Sequence, residues 1–244
     1  MGEKLLEVQD LVVKFGGFTA ISNVSLSMEI GEIRTVIGPN GAGKTTLLDV
    51  LCGKTSPTSG ELFFKGIRIN ELSEFERTRA GMGRKFQTPS VYEDISVFEN
   101  IQISVPDGQR ILSSIFDKRN QFEERILEVA EVTNLATKLT QRAGTLSHGQ
   151  KQWLEIAMLL VQHPKLLMLD EPVAGMSIKE RDQTVDLIKR ISSAQAIIVI
   201  EHDMDFVKKL SSGVTVLHQG AVLCEGPVEK IQSDARVQEV YLGE

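Results

Sequence analysis

Residues 38–45 run Gly38-Pro39-Asn40-Gly41-Ala42-Gly43-Lys44-Thr45, a glycine-rich turn ending in an ammonium and a hydroxyl. Glycines at these positions let the backbone turn tightly and aim its amide hydrogens into one concavity, a nest for phosphate oxygens. Lys44 is suited to neutralising phosphate charge, and the Thr45 hydroxyl to ligating magnesium. The chemistry predicted is binding of a nucleoside triphosphate. Further along, Lys165-Leu166-Leu167-Met168-Leu169-Asp170-Glu171 is an apolar run ending in adjacent carboxylates. Asp170 is placed to hold magnesium through water. Glu171 points elsewhere and can polarise an attacking water, which makes it the candidate general base. Asp170 could instead cap a following helix, with Pro172 breaking the chain, but capping does not account for paired acids after an apolar run.

These residues need particular elements around them. Ile33–Ile37, with apolar Ile33, Val36 and Ile37, predicts a buried strand, while Thr45-Thr46-Leu47-Leu48-Asp49-Val50-Leu51 predicts a helix. Strand, loop and helix in that order are the setting a phosphate loop requires, and the helix adds its positive N-terminal end to the site. The 165–171 run fits a parallel strand buried on both faces with its acids at the carboxyl edge. Leu146-Ser147-His148-Gly149-Gln150 opens with Ser-x-x-Gln, a capping box that places it at a helix N-terminus, a second site for anions. That helix is expected over Gln150–Gln162 and is closed by Pro164.

Residues 5–30 and 61–69 predict short alternating strands, with turn signals at Gly16-Gly17 and Gly60. Between Phe122 and Leu139 the apolar residues Phe122, Ile126, Val129, Ala130, Val132 and Leu135 recur at helical spacing against a charged face. A helical subdomain is therefore expected at about 88–150 inside an α/β core. Val214–Leu217 and Ala221–Leu223 flank Gln219-Gly220 as a hairpin. Repeats and low-complexity segments are absent from the sequence.

Composition limits the function classes. The 244 residues, 41% apolar and 25% charged, suit one large globular domain spanning 1–244. A net charge of −6 argues against a sequence-independent nucleic-acid binder. The 2 cysteines, Cys52 and Cys224, have no zinc or disulfide spacing and suit a reducing compartment; Cys52 is expected to pack at the end of the phosphate-loop helix. No run of eighteen apolar residues occurs, the Met-Gly-Glu-Lys start lacks a signal peptide's apolar core, and a lipidation motif is not matched. The expectation is a chain on the cytoplasmic side that reaches a membrane only through partners.

Leu146-Ser147-His148-Gly149-Gln150, between a phosphate loop and an Asp-Glu strand end, resembles the signature sequence of ABC ATPases, with His148 where the family usually has Gly. The resemblance implies a P-loop NTPase fold with a RecA-like core, an N-terminal antiparallel β-subdomain and the inserted helical subdomain. It implies ATP and Mg2+ as ligands, with Ser147, Gly149 and Gln150 facing the γ-phosphate of ATP held by an opposing subunit. Gln87 resembles the Q-loop glutamine that reaches magnesium and the attacking water, and His202 resembles the switch histidine at the γ-phosphate. Ala174-Gly175-Met176-Ser177 takes the D-loop position, with Ser177 where many relatives have Asp. Phe15 sits where the family places an aromatic stacked on adenine; Phe18 could stack instead, or Phe15 could pack in the core.

One phosphate loop and one signature leave the paired ATP site to be completed by a second ABC ATPase subunit, paralogous or self. Relatives of this kind also bind transmembrane permease subunits and, through them, a periplasmic or extracellular substrate-binding protein. Val91, Tyr92, Ile95, Val97 and Phe98 supply apolar material for a groove facing the permease. The whole chain resembles the ATP-binding subunits of branched-chain amino acid and urea importers. Gly83–Pro89, Ser147–Glu155 and Pro172–Met176 match the urea type, and Val240–Gly243 resembles that group's short C-terminal extension at 235–244. The implied activity is ATP hydrolysis powering urea uptake, with branched-chain amino acids as the alternative cargo. Non-transport relatives fit less well: repair ATPases carry long coiled coils, ribosomal ones join paired ATPase domains, and a non-hydrolysing binder would not need Glu171 and His202.

Overall fold

The structure is a computed structural model that describes residues 4–85, 90–106, 117–210 and 213–242. It divides into two compact units, one formed by Met1–Arg84, Lys165–Glu171 and Ser192–Glu244, the other by Lys85–Pro164 and Pro172–Ile191. The second unit thus takes in a segment beyond the helical stretch that periodicity marks out at 88–150.

The first unit begins with strands β1 (Lys4–Phe15) and β2 (Phe18–Glu29), which pair antiparallel, and with β4 (Ser59–Phe64) and β5 (Ile67–Arg68) they form a sheet in the order β2-β1-β4-β5. These strands are longer than the short strands expected, because β1 survives a bulge. Its buried set steps from Leu6 and Val8 to Leu11 and Val13 where Asp10 turns to φ 48° and the register to both neighbours shifts. Gly60 does not make a turn. It lies inside β4 at φ 96°, where an added Cβ would sit 2.6 Å from the Asp10 carbonyl oxygen, so the bulge of β1 is what requires glycine there.

The second sheet has the order β10-β9-β3-β8-β7-β6, with β3 (Ile33–Ile37), β6 (Met82–Lys85), β7 (Leu166–Asp170), β8 (Ala196–Ile200), β9 (Gly213–His218) and β10 (Ala221–Gly226). β3 runs parallel to β8 and β9, and β8 runs parallel to β7. β7 and β8 are buried along their whole length, as continuous apolar strands covered on both faces must be. β9 and β10 form the expected hairpin over Gln219 and Gly220, both at positive φ.

Alternation along β3 divides the core. Val36 joins the cluster that holds Leu6, Val8, Met168 and Ile198, whereas Ile37 joins Val207, Val214, Val216, Val228 and Ile231. Helix α1 (Lys44–Cys52) contributes Leu47, Leu48 and Leu51 to the first cluster, each fully buried and worth about 1.5–3 kcal/mol. Cys52 is buried at the end of α1, as expected. The carboxyl end of α1 is held by Arg77 of α2 (Glu74–Ala80), whose guanidinium donates to the Val50 and Leu51 carbonyls at 2.6 and 3.1 Å. The helix that carries the phosphate loop is thereby packed along one face and pinned at its far end. Beyond the sheet lie α7 (Met204–Leu210), α8 (Val228–Ser233) and α9 (Ala235–Leu242).

The second unit contains α3 (Val97–Ile103), α4 (Asp117–Val132), α5 (His148–Leu160) and α6 (Ile178–Ser192). Ile126, Val129 and Ala130 of α4 are buried, but the helix stops at Val132 and the chain turns at Asn134 (φ 59°), short of the Leu139 that periodicity suggests. Trp153 of α5 donates its indole N–H to the Thr184 hydroxyl of α6 at 2.9 Å, both residues being buried. That bond satisfies two polar atoms inside the helix–helix contact and fixes α5 against α6.

Candidate functional site

The phosphate loop connects β3 to α1 and is shaped by close backbone contacts. Gly38 has φ 152°, and a Cβ added there would lie 2.1 Å from the Leu217 carbonyl oxygen of β9. Gly43 has φ 100°, and its Cβ would meet the Ala20 carbonyl at 2.7 Å. Gly41 at φ 77° faces open space, so only its backbone conformation calls for glycine. The Gly220 amide donates to the Ala42 carbonyl at 3.1 Å and fastens the loop to the β9–β10 turn. Gly43 occupies the N-cap of α1 without any capping side chain, so the first-turn amides have no intrahelical acceptor. Lys44 Nζ donates to the carbonyls of Gly38 and Pro39 at 2.7 and 2.9 Å, which places its charge over the loop. Thr45 is exposed at the mouth and Thr46 half-buried beside it.

Gly38→Ala should lower the thermal midpoint by roughly 6–12 °C, the equivalent of about 3 kcal/mol, because the methyl meets strand backbone that cannot yield. Gly41→Ala is expected to cost about 1 kcal/mol for strain alone. Circular-dichroism melts that place the two variants together would contradict the close approach to β9.

Asp170 and Glu171 lie at the carboxyl end of β7, next to the end of β8. Asp170 is a strand residue, not the N-cap of a helix: α6 begins only at Ile178. It is buried, and the Arg84 guanidinium of β6 lies 3.5 Å from Oδ2 while also pairing with Asp49 of α1. Arg84 thus joins the end of β7 to α1, a role that motif spacing did not reveal. Glu171 adopts φ 47° and its N–H donates to the Ile200 carbonyl at 3.0 Å. A left-handed backbone is unusual for a glutamate and typical of residues whose aim matters more than their comfort. The Glu171 carboxylate is half-buried and lies 3.7 Å from Nδ1 of exposed His202, which follows β8. The His202 amide donates to the buried Glu201 carboxylate at 3.1 Å. Phosphate loop, paired acids and histidine therefore all sit at carboxyl ends of β3, β7 and β8, where open α/β sheets bind ligands.

In the second unit, Ser147 caps α5. Its hydroxyl accepts from the Gln150 amide at 3.2 Å, and the Gln150 side chain accepts from the Ser147 amide at 3.1 Å, completing the expected capping box. The helix begins at His148, before the Gln150 that the apolar pattern suggested. His148 Nε2 lies 3.1 Å from the Ala174 carbonyl, and a Cβ on Gly175 would meet the same ring at 3.3 Å. A glycine at position 148 could not make that contact. Ser177 precedes α6 and bonds reciprocally with Glu180. The Ser147 hydroxyl also donates to Glu180 Oε1 at 3.0 Å. Hydrogen bonds from the Ser177 amide and then its hydroxyl, joined by that of Ser147, hold the Glu180 carboxyl below the ordinary glutamate range. The group therefore supports this corner fully at neutral pH, and the support fades as pH falls through its folded-state value.

Other expected positions resolve differently. Phe15 and Phe18 are both exposed at the β1–β2 turn and pair across it, so Phe15 is not a core residue and either ring could meet a base. Of the apolar residues near 91–98, Tyr92 is exposed and Val97 is buried, with Val91, Ile95 and Phe98 half-buried. Gln87 lies outside the described residues. As a test of magnesium, the available donors are the Asp170 carboxylate and the Thr45 hydroxyl, hard oxygens that suit an ion keeping its waters and taking phosphate oxygens. Among the described residues no group of three His, Cys, Asp or Glu side chains could hold a metal alone. The residues fit a metal that arrives with its nucleotide. No described helix is long and apolar enough to cross a membrane.

Comparison with known proteins adds lineage to this geometry. The family profile described as ABC transporter matches residues 21–174, and that described as branched-chain amino acid ATP-binding cassette transporter matches 221–244. The chain is 35% identical, over 100% of both sequences, to the high-affinity branched-chain amino acid transport ATP-binding protein BraF of Pseudomonas aeruginosa. It is 33% identical, again over 100% of both, to LivG of Escherichia coli K12, which carries the same description. Among solved structures, a nucleotide-free ATP-binding cassette from an ABC transporter superposes with TM-score 0.85 at 28% identity, over 99% of this chain and 100% of that one. The ADP conformation of MJ1267, an ATP-binding cassette of an ABC transporter, superposes with TM-score 0.86 at 26% identity, over 99% of each chain.

Proposed function

Since the chain belongs to the ABC transporter ATPases, in the group of branched-chain amino acid importer subunits, we propose that it hydrolyses ATP through the residues at its strand ends to drive uptake of a small polar solute. The observation that carries the reading is Glu171, turned by a left-handed backbone to lie beside His202, at the same edge of the sheet as a loop built to hold phosphates. Gly38, Gly41, Gly43 and the first-turn amides of α1, with Lys44, Thr45 and Thr46, bind the β- and γ-phosphates. Magnesium, held by Thr45, Asp170 and Gln87, would offset phosphate charge. Glu171 orients the attacking water and takes its proton, while His202 meets the γ-phosphate. Phe15 or Phe18 stacks on adenine.

Ser147, Gly149 and Gln150 would close over the γ-phosphate of ATP bound to a second ABC ATPase subunit. Closure depends on contacts that ADP lacks, so hydrolysis reopens the pair. The chain would sit on the cytoplasmic face of the membrane through permease subunits, fed by an external substrate-binding protein. For cargo we propose urea, on the three stretches at 83–89, 147–155 and 172–176 that resemble urea-importer subunits. The names of BraF and LivG favour a second reading, a branched-chain amino acid.

Uptake of radiolabelled urea and leucine in source cells carrying Glu171→Gln separates them. Urea uptake is expected to fall to background with leucine uptake intact. Selective loss of leucine uptake would overturn the cargo and keep the ATPase, and loss of neither would overturn the transport role.

A further inference from the structure

We propose that Glu180 is a positioning residue that holds the Ser147 hydroxyl turned away from incoming phosphate, so that ATP must win the serine from a carboxylate before the subunits close. The proposal rests on the reading of Ser147 as a γ-phosphate contact and goes beyond it by assigning what restrains that contact.

A single carboxylate serves both loops. Glu180 Oε1 accepts the Ser147 hydroxyl at 3.0 Å, while Oε2 accepts the Ser177 amide at 3.0 Å and the Ser177 hydroxyl at 2.8 Å. Ser177 in turn accepts the Glu180 amide at 3.4 Å, so the carboxylate is seated by the cap of its own helix. A serine has one hydroxyl proton, and here it is given to Glu180; the lone pair on the other side receives the Gln150 amide. The hydroxyl cannot donate to a phosphate until it is released.

Gly149 supplies an independent observation. Its backbone is not in the left-handed region, so conformation does not call for glycine. A Cβ there would lie 2.6 Å from Glu180 Oε1 and 2.7 Å from the carboxyl carbon. The absent side chain is the space the carboxylate occupies. Charge gives the arrangement its direction: a carboxylate beside the serine repels the polyphosphate that the same serine would bind, and raises the ATP concentration that closure needs.

The test uses the assembled transporter and the isolated full chain. Glu180→Gln keeps the shape and removes the charge. It is expected to lower the ATP concentration for half-maximal hydrolysis about fivefold, the scale of one charge pair near water. Turnover at saturation should stay within twofold, as should nucleotide affinity of the dilute monomer. Half-saturation that is unchanged or raised overturns the proposal, and an equal shift in monomer affinity overturns its route across the interface. Glu180→Ala should speed hydrogen exchange at the Gln150 and Ser177 amides about tenfold or more in the isolated chain. Unchanged exchange there overturns the link even if the wild-type assembly proves unable to hydrolyse ATP, the outcome that would sink the proposed function separately.

Discussion

Glu171→Gln is expected to slow ATP turnover by roughly 10²–10⁴-fold, the range a positioned general base contributes. The substitution suits the question because it keeps the length of the side chain and asks nothing new of the backbone at φ 47°. The amide cannot take a proton from water, and it removes the negative charge 3.7 Å from the His202 ring. The bond from the residue 171 amide to the Ile200 carbonyl is untouched, so the end of β7 should stay in place against β8. Nucleotide affinity is therefore expected to hold within about threefold, because the base acts only as the water attacks. Steady-state phosphate release, paired with equilibrium ATP binding, checks both halves. Turnover within threefold of wild type would show that another group activates the water; a parallel loss of binding would make Glu171 a structural support of the strand end.

Local patterns were legible in the sequence because local physics decides them. Ile33–Ile37 is a strand over the residues its pattern marked, since a short, largely buried segment has few other solutions. Ser147 with Gln150 forms the capping box that its spacing required. What escaped reading depends on partners far along the chain. Ser177-x-x-Glu180 is itself a Ser-x-x-Glu pattern and could have marked the start of α6, yet nothing local told that Glu180 would also accept a proton from Ser147. Arg84 stood in a motif noted for its neighbours, while its partners Asp49 and Asp170 come from other elements. Gly60 looked like a turn because glycine punctuates turns more often than it fills strands. Its true cause is a bulge in the neighbouring strand, information that lies at Asp10 and not at position 60. The left-handed Glu171 is invisible to propensity for the same reason: a functional position is where local preference gives way to tertiary demand.

Lys44→Ala is expected to abolish the stabilisation of the chain by ATP. A ligand that binds only the folded state adds about 2.7 kcal/mol at a hundred times its dissociation constant, roughly 5–11 °C in the midpoint of a chain this long. Lys44 is the cation of the loop, with Nζ drawn over it by the Gly38 and Pro39 carbonyls at 2.7 and 2.9 Å. Phosphate oxygens entering the nest would meet that ammonium at the mouth of α1. Without it, several negative charges would rest on amide dipoles alone, too little to hold a polyphosphate against water. Alanine is the best of helix formers, and position 44 opens α1 on a partly exposed face, so the nucleotide-free melt should move little. Thermal scans of both proteins with and without ATP and magnesium therefore separate binding from folding. An ATP-induced shift as large in Lys44→Ala as in wild type would remove Lys44 from the phosphate site. A fall in the nucleotide-free midpoint as large as the lost shift would assign the lysine to holding the loop, through the same two carbonyls, instead of the ligand.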